Sequence, residues 1–91
     1  MELGSQVEWK GRVSDFEDSH HKGEVVFVLQ PGVRPQSFLK QPSASKYDCQ
    51  LVKKYGTPRN HISFLVAVKP RRGVAKPMVY WPNVKALKEM A

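Results

Sequence analysis

The sequence predicts an α+β fold: a small, mostly antiparallel sheet of about four strands, in the order β-β-α-β-β-α, with one or two short helices. Three stretches lead there. Arg59 to Trp81 reads as a hairpin: Ile62, Phe64, Val66 and Val68 alternate with Ser63, Leu65, Ala67 and Lys69, and after a turn the chain returns along Met78 to Trp81. Such alternation suits a strand with one face in the core, and Pro70 and Gly73 suit the turn, because proline presets φ and glycine accepts positive φ. Gln6 to Val13 alternates in the same way. Ser43 to Gly56 sets Tyr47, Leu51 and Tyr55 at i, i+4 and i+8, the spacing of one helix face.

In the first strand Val7, Trp9, Gly11 and Val13 share one side and Gln6, Glu8, Lys10 and Arg12 the other, with Gly11 marking a bulge or a close backbone approach. Ser14 to Gly23 is polar and is expected to form a long acidic loop that turns at Gly23. Glu24 to Leu29 is β-branched and almost wholly apolar, the composition of a central strand covered on both faces, and it pairs with the first strand. Pro31 to Ser45 crosses the molecule as a connector anchored by Phe38 and Leu39. In the segment that follows, Ser43 or Ser45 caps a helix, Lys53 and Lys54 suit its C-terminal dipole, and Gly56 and Pro58 stop it. A helix is preferred there over a strand on Tyr47, Cys49 and Leu51. Asn83 caps a short last helix, Val84 to Met90, with Val84, Leu87 and Met90 at i, i+3 and i+6.

A chain of 91 residues builds one core and hence a single domain, residues 1–91. Its 41% apolar and 25% charged residues argue against global disorder. The longest apolar run, Val25 to Leu29, is far short of a membrane span, and Met1 to Ser5 lacks the basic head and apolar stretch of a signal peptide. Cys49, the lone cysteine, has no partner for an intrachain disulfide, which fits a reducing compartment. A cytoplasmic protein with no membrane attachment is expected.

The net charge of +7 is informative through its placement. Residues 1–30 hold Lys10, Arg12 and Lys22 against Glu2, Glu8, Asp15, Glu17, Asp18 and Glu24, a net of −3. Residues 31–91 hold twelve cations against Asp48 and Glu89, a net of +10. So few local counter-charges favour a polyanionic or acidic partner over a surface kept for solubility, where signs usually mix. Lys53, Lys54, Arg59, Lys69, Arg71, Arg72, Lys76 and Lys85 are the expected nucleic-acid contacts, with Lys88 near them in sequence. The arginines matter most, because the guanidinium fork can grip a phosphate or a guanine edge with two bonds. Among nearby aromatics, Phe64 and Tyr55 are read as core; Tyr80 and Trp81 point to opposite faces, and Tyr80 is preferred as the exposed side chain able to stack a base, although the sequence does not say which of the two faces out.

No catalytic signature, Gly-rich phosphate loop or CxxC zinc spacing is present, so a catalytic site, a metal and a cofactor are all read as none. Asp15 to His21 brings carboxylates and His20 and His21 close together, but adjacent histidines point apart in an extended chain. Cys49, His20, His21 and His61 match no finger spacing. Gly56 to Val68 resembles the second strand of double-stranded-RNA-binding domains over thirteen residues. The closing helix begins Asn83-Val84-Lys85 where that family has a Lys-Lys start, and the family is not adopted.

The preferred reading is a non-enzymatic nucleic-acid-binding domain, DNA or RNA undetermined, using a basic C-terminal hairpin surface. The alternative is a small accessory or inhibitor module docking on an acidic protein, with Trp9, Trp81 or Phe38 as apolar anchor. A metal-dependent nuclease using Asp15, Asp18 and His20 comes third. An open edge on so small a sheet also allows a homodimer.

Overall fold

The computed structural model describes residues 1–14, 17–69 and 76–90, with the backbone alone for 11–14 and 17–20. Strands β1 (Gln6–Ser14), β2 (Glu17–Leu29), β3 (Ser63–Val68), β4 (Met78–Tyr80) and β5 (Lys88–Glu89) form one sheet in the order β4-β3-β2-β1-β5. Every neighbouring pair is antiparallel. The helical pieces are short: 3₁₀ turns at Pro35–Lys40, Pro42–Lys46 and Val84–Ala86, and one α-helix, α1 (Gln50–Lys54). The class is α+β, as predicted, with five strands rather than four among the described residues.

Four expectations about the strands are corrected. The acidic stretch before Gly23 is not a long loop: Glu17 to Gly23 continues β2, in register with β1 from Gln6 opposite Glu24 to Ser14 opposite Glu17. The irregularity in that ladder falls between Arg12 and Ser14 rather than at Gly11. Gly23 sits inside the strand opposite Val7, where β2 crosses so close to β3 that a Cβ would run into the Ala67 carbonyl oxygen. β3 is buried on both faces rather than one, because β2 and β4 flank it and both sides of the sheet are covered.

The helix expected over Ser43 to Gly56 is broken in two. Asp48 leaves helical geometry to pair with the outer edge of β4, its N–H donating to the Pro77 carbonyl at 2.8 Å and its carbonyl accepting from Val79 N at 3.1 Å. Its carboxylate accepts from Gln50 N at 3.1 Å, a local side-chain bond of the kind that competes with a helix. Pro42 starts the first piece at the position where a missing N–H is harmless.

The last helix is likewise absent. Asn83 does cap, its side chain accepting from Lys85 N at 3.0 Å, but what it caps is one 3₁₀ turn. The chain then crosses one face of the sheet and ends as β5, with Val7 opposite Glu89 and Glu8 opposite Lys88.

Strand alternation divides the core into two layers. Val7, Trp9, Val25, Phe64 and Val66 lie on the face that the crossing segment covers with Leu87 and Val84. Leu29, Leu65, Ala67 and Val79 lie on the other, under Phe38, Ala44 and Val52 from residues 35–54. Phe38 is fully buried, so the expected anchor of the proline-rich connector holds, and burying such a ring contributes roughly 2–3 kcal/mol. Among the described residues no helix is long and apolar enough to cross a membrane.

Candidate nucleic-acid interface

The layer formed by residues 30–60 carries Arg34, Lys40, Lys46, Lys53, Lys54 and Arg59, and its one carboxylate, Asp48, is turned to its own backbone. Three adjoining hollows run along this layer. The first, about 430 Å³, has Arg34, Gln36, Lys53 and Tyr55 in its wall. The second, about 420 Å³, shares Lys53 with the first and adds Ser45, Tyr47, Cys49 and Lys76. The third, about 610 Å³, shares Tyr47 with the second and is bounded by Lys69, Lys22, Glu24 and Pro77. A line of cations therefore runs Lys22 and Lys69, Lys76, Lys53, Arg34, with Glu24 as the one acid bordering it among the described residues. None of Arg34, Lys53, Lys69 and Lys76 has an ion-pair partner among the described residues. Lys76 Nζ donates to the Ser45 carbonyl at 2.9 Å, which fixes its place on the line.

The other expected contacts fall elsewhere. Lys54 is exposed at the end of α1, beside Lys53. Arg71 and Arg72 lie outside the described residues, as does the turn that carries them. Lys85 is separated from the line: with Lys10 and Lys88 it borders a fourth hollow of about 330 Å³, beside Trp9 and Glu8.

Arg59 is occupied internally. Its guanidinium donates to the Pro82 carbonyl at 2.8 Å and the Trp81 carbonyl at 3.0 Å, and it lies 4.0 Å from the centre of the Trp81 ring. Burial lowers its pKa from the ordinary arginine value, opposed by Tyr55. Its place before β3 is as the sequence suggests, but its fork grips backbone carbonyls of its own chain.

Tyr80, at the end of β4, packs on the layer with Val7 and Trp9, and Trp81, just past the strand, packs on the opposite layer. Neither is free. Tyr80 is half-buried in a cluster with His21, 5.3 Å away, and Trp9, 6.0 Å away, while His21 stacks on Trp9 at 5.0 Å. Trp81 packs against Tyr55, and its indole N–H donates to Ser63 Oγ at 2.9 Å. Phe64 is core, as expected. The three apolar anchors of a docking module are thus largely enclosed: Phe38 and Trp9 are buried and Trp81 is half-buried under Arg59.

Asp15 lies outside the described residues, and the side chains of Asp18 and His20 are not described. Among the described residues no group of three or more metal-ligating side chains comes together. Cys49 is half-buried, and burial, reinforced by Asp48, pushes its thiol pKa up, so it suits packing rather than nucleophilic chemistry.

Three residues of the line escaped sequence reading. Arg34 stood alone among prolines, and Lys22 was counted with the acidic third of the chain. Tyr47 was assigned to a helix face. The pairing of Asp48 with β4 and the register of β1 on β2 bring Tyr47 and Lys22 to one hollow.

Tyr55 supports this layer from within. Its hydroxyl accepts from Trp81 N at 3.0 Å, and burial raises its pKa above the ordinary value. A group whose folded pKa is raised contributes fully below its unfolded value and is lost as pH rises through the folded one. Stability is therefore expected to fall above about pH 10, where phenols ordinarily ionise. Tyr55→Phe should remove that component of the alkaline loss and cost about 1–2 kcal/mol at pH 7 by stranding the Trp81 N–H. Urea melts of both proteins from pH 7 to 11 check it.

Comparison with known proteins yields no relative: no family model matches the chain, nor does any curated protein or solved structure.

Proposed function

We propose that this is a non-enzymatic nucleic-acid-binding domain that holds a phosphate backbone along the Lys69–Lys76–Lys53–Arg34 line. The observation that carries the reading is the sharing of walls: Lys53 and Tyr47 join three hollows into one path, bordered by Arg34, Lys53, Lys69 and Lys76, which have no ion-pair partner among the described residues. Phosphates laid along it would relieve the repulsion among these charges and release counterions, so affinity should fall steeply with salt. Lys85, Lys10 and Lys88 form a separate basic patch and are secondary contacts in this reading. A module for an acidic protein partner would use the same cations, but its apolar anchors are largely enclosed. The cytoplasm is the compartment proposed, which suits the free thiol of Cys49. A homodimer through sheet edges would use the two-residue β5, since Asp48 occupies the outer edge of β4.

The test is binding of labelled oligonucleotides, single- and double-stranded, over 50 to 300 mM salt. Lys53→Ala with Lys76→Ala should weaken binding about tenfold near 150 mM salt and reduce the log–log slope by roughly 1.4–1.8, the share of two phosphate contacts. No binding at low salt, or an unchanged slope in the double variant, overturns the proposal.

A further inference from the structure

We infer that the third hollow, between the β1–β2 pair and Tyr47, takes one unpaired nucleobase, so that the ligand of the basic line is a single strand. The inference rests on the proposed function and adds to it the class of nucleic acid and a stacking residue.

The hollow exists because two coverings stop short. Residues 35–54 cover β3, β4 and the lower part of β2, but the side of β1 and upper β2 that bears Gln6, Lys22 and Glu24 is left open. Ala67, opposite Glu24, is too small to fill the gap. The break in the helix places Tyr47 at the mouth, since Asp48 beside it is tied to Pro77 and Val79. At about 610 Å³ the space is within the usual range of sites that take small organic groups.

Its walls match the parts of a nucleotide. Tyr47 supplies an aromatic surface held from behind by Phe38, with ring centroids 6.1 Å apart, and Ala67 and Pro77 add apolar surface. Gln6 and Glu24 are cross-strand partners, so an amide and a carboxylate stand side by side for the polar edge of a base. Lys22, two residues from Glu24 on the same face of β2, and Lys69 flank the hollow as phosphate contacts. Tyr47 also borders the neighbouring hollow, where the next phosphates would meet Lys76 and Lys53.

A paired base has both faces stacked and its edge occupied, so only an unpaired base can lie on Tyr47. The Trp9–His21–Tyr80 cluster is the poorer platform, because its rings cover one another.

Fluorescence anisotropy with labelled 12-mers, single strands of DNA and RNA and the matching duplexes, tests this. The wild type should bind a single strand at least tenfold more tightly than the duplex. Tyr47→Leu keeps an apolar contact with Phe38 and should lose about tenfold on single strands, the size of one lost base–aromatic stack, with duplex binding and the salt slope unchanged. Tyr47→Phe should restore the loss. Gln6→Trp, which fills the hollow from an exposed position, should act as Tyr47→Leu does and decides the matter if that variant fails to fold. Duplex binding as tight as single-strand binding, or single-strand affinity untouched by Gln6→Trp and Tyr47→Leu, overturns the inference. If the Lys53 and Lys76 double variant still lowers the slope in that case, the basic line stands and only the base site falls. If that variant changes nothing either, the basic line falls with it.

Discussion

Gly23→Ala is expected to destabilise the fold by about 3 kcal/mol, at the upper end of what overpacking usually costs. Two effects compete at this position. Gly23 has no positive φ, so alanine can adopt its backbone, and the stiffer unfolded chain alone would favour alanine by about 0.4–1 kcal/mol. Against that stands the crossing of β2 over β3: a Cβ would run into the Ala67 carbonyl oxygen and lie 2.8 Å from Val66 Cγ1. A carbonyl in an interior strand cannot swing aside as a surface side chain would, so β2 and β3 must separate near Glu24 and Ala67, and steric overlap wins. For a domain this small the loss lowers the melting temperature by roughly 12–24 °C. Thermal unfolding followed by circular dichroism measures it, and an unchanged or raised midpoint contradicts the crossing described here.

Arg59→Ala should cost about 2–3 kcal/mol, the combined worth of two charge-assisted bonds to carbonyls and a cation–aromatic contact, discounted for the partial exposure of the group. Arg59→Lys should recover little, because one ammonium cannot span the Trp81 and Pro82 carbonyls as the planar fork does. The sequence-based role as a phosphate contact gives the opposite pattern, a stable variant with a shallower salt dependence. Urea melts and salt titrations of both variants, run where each is folded, separate the two. A stable Arg59→Ala protein with a reduced slope would return Arg59 to the interface.

The class of the fold and most of its strands are legible in the chain because burial on one face writes a period of two into β1, and burial on both faces writes short apolar runs into β3 and the part of β2 beside it. What is not legible is who pairs with whom. The stretch from Ser14 to Gly23 is polar because most of its β2 portion, Glu17 to Lys22, pairs only with β1 beyond the end of β3, and a ribbon of that kind needs few apolar residues. Val84 and Leu87 fit a helix by spacing, yet the same two side chains fit an extended crossing that ends in β5. Tyr47, Leu51 and Tyr55 form a convincing helical stripe until the distant edge of β4 recruits Asp48. The cationic surplus was visible at once. Its division was not: Lys85 sits apart from Lys53, and Arg59 is turned inward, because charge counts carry no direction.

The strand order β4-β3-β2-β1-β5 makes the segment that leads into β5 a closing clasp. Until residues 84–89 have been synthesised, the outer edge of β1 has no partner, and Val7, Trp9 and Phe64 lack the cover of Val84 and Leu87. A domain that has not yet docked residues 84–89 therefore has a sticky flank and one bare layer, and it escapes aggregation only as fast as that segment can swing across and lock.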